Sequence, residues 1–387
     1  MVEDSEFVLC QRITFWVWKV YGIWTTEDQS LLYRAFFWIY HFFFTFAYIF
    51  AMFLSSFFTD NSEELWREVM FMLLTEAAMC TKQFYLIRNF AAILRLNRIS
   101  VSMDYSVKTD HDLKAQTRML NRCNTVMLVF FLFSISSVLG NVALLFGDSY
   151  KLPYSNWFYW VPLGKNHQTN YYIMFAYQIF GMVCHCALNV VADIHVIYLL
   201  SVVSFQLDLL LEDLARLPIP SSRTYIEKQL YRQTFVEHIE KYDRIHSFVR
   251  EVEHIFSVPV FIQIGASGIT ICAVMFALSS MDITDLRSSV PMLCYLVAML
   301  LQIYLPCMFG NEVTFKSHHL TNAIFSSDWY KLPVPERKDL MRLMLRTSKP
   351  FILKAGDYFH FSLQTFGSTL NTAYSIYAVL NRRNRTV

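Results

Sequence analysis

Long apolar runs alternate with stretches dense in charge along the whole chain. Five runs contain no Asp, Glu, Lys or Arg: residues 35–58, 125–146, 255–281, 290–310 and 361–381. Two more are broken only by isolated charges, residues 69–87 by Glu76 and Lys82, and residues 171–205 by Asp193. About 20 apolar residues in a helix cross the hydrocarbon of a bilayer. A spanning segment must satisfy its own backbone, as a helix or within a closed barrel, and runs of this length are helical. The pattern predicts an all-α membrane protein with seven transmembrane helices.

Charge between the runs orients them. Of the 33 Lys and Arg residues, 25 fall in the N-terminal segment, the loops after the second, fourth and sixth runs, and the stretch up to His360. Seven fall on the opposite side, and Lys82 lies within a run. Basic residues gather on the cytoplasmic side, so the N-terminus is read as cytoplasmic and the C-terminus as extracellular, the reverse of a G-protein-coupled receptor. Arg382, Arg383 and Arg385 in the tail run against the count and are outvoted by it. With acids early in the chain and no compact signal peptide, insertion is expected to start from a later span. The cytoplasmic connections are long and helix-like. Phe235, Ile239, Tyr242, Ile245 and Val249 recur near helical spacing, so the fourth and fifth helices are expected to continue past the membrane and pack there. Pro335, Glu336 and the closing Lys349-Pro350 mark a further helix over 335–349. The chain thus divides into residues 1–310 with six spans, a cytoplasmic anchor segment over 311–360, and a seventh span with a short outer tail over 361–387.

Composition agrees with a membrane setting. The chain is 55% hydrophobic and 17% charged, against about 25% charged for a soluble domain. Its 35 Phe and 22 Tyr suit a lipid-facing surface around an aromatic interior. A net charge of +2 makes no case for nucleic acid. The eight cysteines are scattered without a C-x-x-C pair and read as buried thiols, not a disulfide framework. There is no glycine-rich phosphate loop, H-E-x-x-H or G-x-S-x-G. Cys184, His185 and Cys186 are adjacent on a helix and point in three directions, which does not make a metal site. No catalysis, metal or cofactor is expected. Among charges within spans, Lys82 reads as snorkelling to the interface and Asp193 as part of a cytosolic helix extension. Glu76, near mid-span, reads either as a structural hydrogen-bonding group or as part of a ligand or pore site.

The final run is the most polar. Ser362, Thr365, Ser368, Thr369, Thr372 and Ser375 occupy one arc. Tyr374, Tyr377 and Asn381 fall within about 60° of one another, and Leu370 and Gly367 extend their stripe. Neither face is built for lipid. One suits a pore wall and the other close helix packing, and the sequence leaves open which is which.

Several short motifs recur in order through the chain. "YSNWFYWVPLG" precedes "YYIMFAYQ" at the fourth run, and "CMFGNEV" (307–313) closes the sixth. Behind it come Ser327-Asp328-Trp329-Tyr330, Arg337-Lys338, Lys349-Pro350, Ala355-Gly356, Phe366 and Ala373-Tyr374-Ser375. In order and spacing they resemble the insect odorant receptors. That resemblance implies a tetrameric, odorant-gated, non-selective cation channel in the plasma membrane of olfactory sensory neurons. Its cytoplasmic helices form a shared anchor, its seventh helix lines a central pore, and tuned subunits join a common co-receptor. The long insertion that marks the co-receptor is absent from the second cytoplasmic loop, so the chain resembles a tuned, odorant-binding subunit. Gustatory receptors share the fold, but their Thr-Tyr and Gln-Phe ending is absent here. A gustatory-type channel is the alternative, and a seven-helix receptor signalling through a soluble transducer a more distant one.

The resemblance puts a hydrophobic gate at Tyr377, with Tyr374 and Asn381 on the same wall; an aromatic gate departs from the family's aliphatic one. It puts the odorant pocket in the outer half of the bundle, between helices two and six. The expected lining is Phe71, Leu74 and Thr75 from span two, and Ser137, Gly140 and Leu144 from span three. Span four supplies Met174, Tyr177 and Gly181, and span six Met292 and Tyr295. Gly140 leaves room either for a ligand or for a close helix contact. A mostly apolar, aromatic cavity with a few hydroxyls suits a small, volatile, weakly polar molecule. The implied partners are the co-receptor, the odorant and membrane lipid.

Overall fold

A computed structural model describes residues 9–24, 30–58, 71–104, 109–145, 152, 168–217, 225–280 and 286–384. It is almost entirely helical. An amphipathic helix α1 (Leu9–Val20) buries Phe15, Val17 and Trp18 and lies on the fourth span. The first span is α2 (Leu31–Tyr40), a π-helical segment (His41–Phe46) and α3 (Ala47–Phe58). Then come α4 (Phe71–Arg88), α5 (Phe90–Asp104), α6 (Asp110–Leu145), α7 (Gln168–Ala215), α8 (Tyr225–Ser280) and α9 (Leu286–Ser326). A short helix α10 (Val334–Thr347), a two-stranded hairpin (Lys354–Ala355 with Phe359–His360) and α11 (Leu363–Asn384) complete the chain. Among the described residues, five helical segments are long and apolar enough to cross a membrane. The other two predicted spans, α4 and α11, fall short because one carries Glu76 and Lys82 and the other is rich in hydroxyls.

The predicted extension of the fourth and fifth helices is present. With 48 and 56 residues, α7 and α8 run about 72 and 84 Å, more than twice the hydrocarbon thickness. Phe235, Tyr242, Ile245 and Val249 are buried as their spacing predicts. Over Ile194–Leu207, α7 is buried on every side. A helix that is apolar all round has no solvent face to offer, and α7 is accordingly wrapped by α1, α4, α6, α8 and α9.

The "CMFGNEV" motif acts as a joint. A Cβ on Gly310 would lie 2.3 Å from Phe361 Cβ, so glycine lets the start of α11 seat on α9. Two residues on, Glu312 receives Arg122 at 2.8 Å, Lys316 at 2.9 Å and the Ser204 hydroxyl at 2.6 Å, tying α6, α7 and α9 together. The hairpin is an element the all-α expectation did not contain. Gly356 and Asp357 turn it at φ +57° and +60°. The Gly356 N–H donates to Ser257 Oγ at 2.8 Å, and the Phe261 ring lies against Tyr358 and Phe359. These contacts fix the link into α11 on α8.

Candidate ligand-binding and pore sites

At the outer end of the bundle a second apolar cluster is separate from the main core. It gathers Tyr48, Ala51 and Met52 of the first span, Met72 of α4, Val138 of α6, Tyr171 and Met182 of α7, and Ala273 and Val274 of α8. Four residues expected in the pocket, Met174, Tyr177, Met292 and Tyr295, pack against it. Thr75 and Tyr295 come together across α4 and α9, hydroxyl to hydroxyl, at 2.7 Å. The Tyr177 hydroxyl donates to the Phe43 carbonyl at 2.5 Å, inside the π-helical segment, whose looser backbone ladder is common at functional sites.

The remaining expected residues are placed differently. Leu74 is half-buried on α4 and Ser137 is buried on α6. Gly140 abuts the ring of Pro291, where a Cβ would come to 2.5 Å, so its missing side chain is filled by α9 in a close helix contact. Gly181 is covered by the Tyr48 ring, 2.6 Å from where a Cβ would sit. The side chains of Phe71 and Leu144 lie outside the described residues, as does most of the loop over 147–170. Sequence reasoning missed Tyr48 and Met52 because it drew the pocket from helices two to six. The alternation of aromatic and small residues in the first run was the available signal.

Beneath this cluster stands a buried polar pair. His185 Nδ1 and Glu76 Oε2 are 2.6 Å apart, both side chains are buried, and the Tyr48 ring meets the imidazole edge-on at 5.0 Å. His185 Nε2 has no hydrogen-bond partner among the described residues. His185 is thus committed to Glu76 and not to the flanking cysteines. All eight cysteines are free.

Deeper along the bundle, the structure corrects the reading of Lys82 and Asp193. Lys82 does not snorkel, and Asp193 does not face the cytosol. The Lys82 ammonium lies 2.7 and 2.9 Å from the two Asp193 oxygens and 2.8 Å from Asn189 Oδ1. Gln302 Nε2 donates to Asp193 Oδ2 and Asn189 Oδ1, both at 3.1 Å. Gln263 Nε2 in turn donates to the Gln302 carbonyl at 2.8 Å. That carbonyl is the one four residues before Pro306, which has no N–H to give it. One connected network therefore joins α4, α7, α8 and α9, and proline creates the acceptor that completes it.

The seventh helix packs part of its hydroxyl arc on the bundle. Thr365 and Ala373 are buried, and Thr369 Cγ2 touches the site of a Cβ at Gly268, so the stripe 365, 369, 373 packs on the chain's own α8. Several hydroxyls are satisfied within the helix: Thr369 donates to the Thr365 carbonyl, Thr372 to Ser368 and Ser375 to Asn371, at 2.7–2.9 Å. The tyrosine stripe is left partly open, as are Ser368, Thr372 and Ser375 of the hydroxyl arc. Tyr374 is 60% exposed, its ring lies 6.2 Å from that of Tyr377, and Asn381 Nδ2 donates to the Tyr377 hydroxyl at 3.2 Å. The three expected pore residues therefore form one contiguous strip, exposed at Tyr374 and half-buried at Tyr377 and Asn381, with Tyr377 packed against the main core.

Comparison with known proteins agrees with this architecture. A family model described as 7tm Odorant receptor matches residues 61–374. Odorant receptor 94a of Drosophila melanogaster is 28% identical over 391 positions, covering 98% of this chain and 99% of its own. Odorant receptor 46a, isoform B, of the same species is 26% identical, covering 95% and 97%. The insect olfactory receptor OR5 from Machilis hrabei has the same fold, with a TM-score of 0.80 at 15% identity over 96% of each chain. Its structure in complex with eugenol gives 0.78 at 16% identity, over 96% of this chain and 97% of its own. The match puts the protein among membrane receptors and not enzymes, and with most of its length matched, the chain belongs to the insect 7tm odorant receptor family.

Proposed function

We propose that this chain is a tuned, odorant-binding subunit of a ligand-gated, non-selective cation channel. It would assemble with a common co-receptor, as a tetramer, in the plasma membrane of olfactory sensory neurons. The observation that carries this reading is the strip Tyr374–Tyr377–Asn381 on α11, exposed at Tyr374 and half-buried at Tyr377 and Asn381. A spanning helix that leaves one tyrosine exposed, and a second tyrosine and an amide only half-covered, needs either neighbouring subunits or a water-filled lumen. Four such helices around an axis supply both.

The outer cluster is the proposed odorant site. Its Met and Tyr side chains give adaptable apolar contact, and Thr75, Tyr295 and Tyr177 give a few hydroxyls. Eugenol, held by the Machilis hrabei receptor, is of the class this site suits: small, aromatic and weakly polar. Below it, Glu76 orients the His185 ring and leaves Nε2 without a partner among the described residues, one polar point in an apolar floor. An odorant would open the pore by binding the open state more tightly than the closed one. The test is current recorded from cells expressing the chain with and without an insect odorant co-receptor, under a panel of volatile molecules. Odorant-evoked cation current that needs both subunits is the expected result. Current from this chain alone, or a response carried by a soluble transducer with no conductance, would overturn it.

A further inference from the structure

A cleft of about 1070 Å³ opens where α4 leaves the bundle. Its walls are the end of α4, the α8 segment over 242–258 and the link from α10 to the hairpin. Arg88 and Ser257 both stand where a predicted span meets its cytoplasmic continuation, so the mouth lies at the depth of headgroup phosphates. Five cations line it, Arg88, Arg250, Arg346, Lys349 and Lys354, against two acids, Glu253 and Asp357.

Only part of this charge is engaged. Arg346 pairs with Asp243 at 2.6 Å and lies over the Tyr242 ring. Arg250 stands 3.8 Å from Glu253, which also accepts the Lys354 N–H at 3.0 Å. The side chains of Arg88, Lys349 and Lys354 have no ion-pair partner among the described residues, and all three are exposed. Cations held on a concave, low-dielectric wall focus the field on whatever enters. Guanidinium forks match phosphate oxygens in pairs, and ammonium groups add point charge. Tyr242, Phe351 and Val258 supply an apolar back wall among the cations.

We propose that this cleft binds an inositol headgroup carrying more than one phosphate. Three unengaged cations exceed what a single phosphate would neutralise, and the position at the inner interface favours a lipid over a free inositol phosphate. Occupancy would tie the end of α4 to the link that leads into α11. The inference does not depend on the odorant reading above.

The experiment uses the full-length chain in neutral detergent. The probe is a fluorescent dioctanoyl phosphatidylinositol bisphosphate. Saturable binding is expected, weakened on the order of tenfold or more by Arg88→Gln/Lys349→Gln/Lys354→Gln. Lys114→Gln/Lys228→Gln/Lys338→Gln, three exposed lysines outside the cleft, is expected to bind as the native chain does. Thermal melting of each variant checks that the fold is kept; if the cleft variant melts early, Lys349→Gln alone takes its place, with a several-fold loss expected. Competition by unlabelled dioctanoyl bisphosphate lipid but not by inositol trisphosphate supports the lipid source. Equal competition by inositol trisphosphate supports the same phosphate site fed from the cytosol. Absence of saturable binding, an equal loss in the control variant, or equal competition by dioctanoyl phosphatidylserine would each overturn the proposal.

Discussion

Replacing Lys82 by Met removes one half of a fully buried ion pair. Lys82 and Asp193 are 6% and 5% exposed, and their contacts at 2.7 and 2.9 Å leave no room for water between them. Removing one partner of such a pair costs about 3–5 kcal/mol, because the other charge stays buried without compensation. Gln302 still donates to Asp193, which places Lys82→Met toward the lower end, at about 3 kcal/mol. Removing both charges with Lys82→Met/Asp193→Leu takes away the uncompensated carboxylate. The double variant is therefore expected to be no less stable than either single one, with a coupling of about 3 kcal/mol. Denaturant titration of the full-length chain in mixed micelles, run as a double-mutant cycle, reads these differences. A cost for Lys82→Met below about 1 kcal/mol, or additivity in the double variant, would refute the pairing and return Lys82 to the interface.

Three further outcomes follow from the same geometry. Tyr295→Phe breaks the 2.7 Å contact with Thr75, worth about 0.5–1.5 kcal/mol. Dose–response curves should shift by roughly two- to tenfold for odorants with a hydroxyl or carbonyl and stay in place for hydrocarbons. Glu76→Gln can still accept from His185, whereas Glu76→Leu leaves the ring with no partner at Nδ1 and should cost about 1–3 kcal/mol, read as lower surface protein than for Glu76→Gln. Gly356→Ala meets the Phe261 ring at 2.5 Å in a left-handed turn. It should lower stability by about 1–3 kcal/mol, and Phe261→Ala in the same chain should recover part of the loss in a thermal melt.

The fold was legible because its signals are long. Runs of 20 or more apolar residues, the asymmetry of Lys and Arg, and a five-residue stripe from Phe235 to Val249 each involve many residues that agree. The polar interior was not legible, because each residue reads one way alone and another way paired. Lys82, judged on its own helix, sits close enough to the interface to snorkel. Only the approach of α7 makes Asp193 its partner, 111 positions away. Likewise Pro306 frees the Gln302 carbonyl by a local rule, but nothing local says that Gln263 takes it. Gly140 and Gly181 show the same limit from the other side. The sequence says that space exists there, and the structure says that Pro291 and Tyr48 occupy it. On α11 the angular arcs were readable, but choosing the open face needed Thr369 against Gly268 and Tyr374 left uncovered.

The central claim is that the tyrosine strip of α11 lines a pore opened by odorant. Its most direct test is the permeability of Tyr377→Ala, co-expressed with an odorant co-receptor, to organic cations of graded size relative to caesium, during odorant-evoked current. Removing the ring and the hydroxyl that Asn381 contacts should raise the permeability ratio of the larger cations and change rectification. Unaltered permeability ratios and rectification, at native current size, would place Tyr377 away from the ion path and contradict the account.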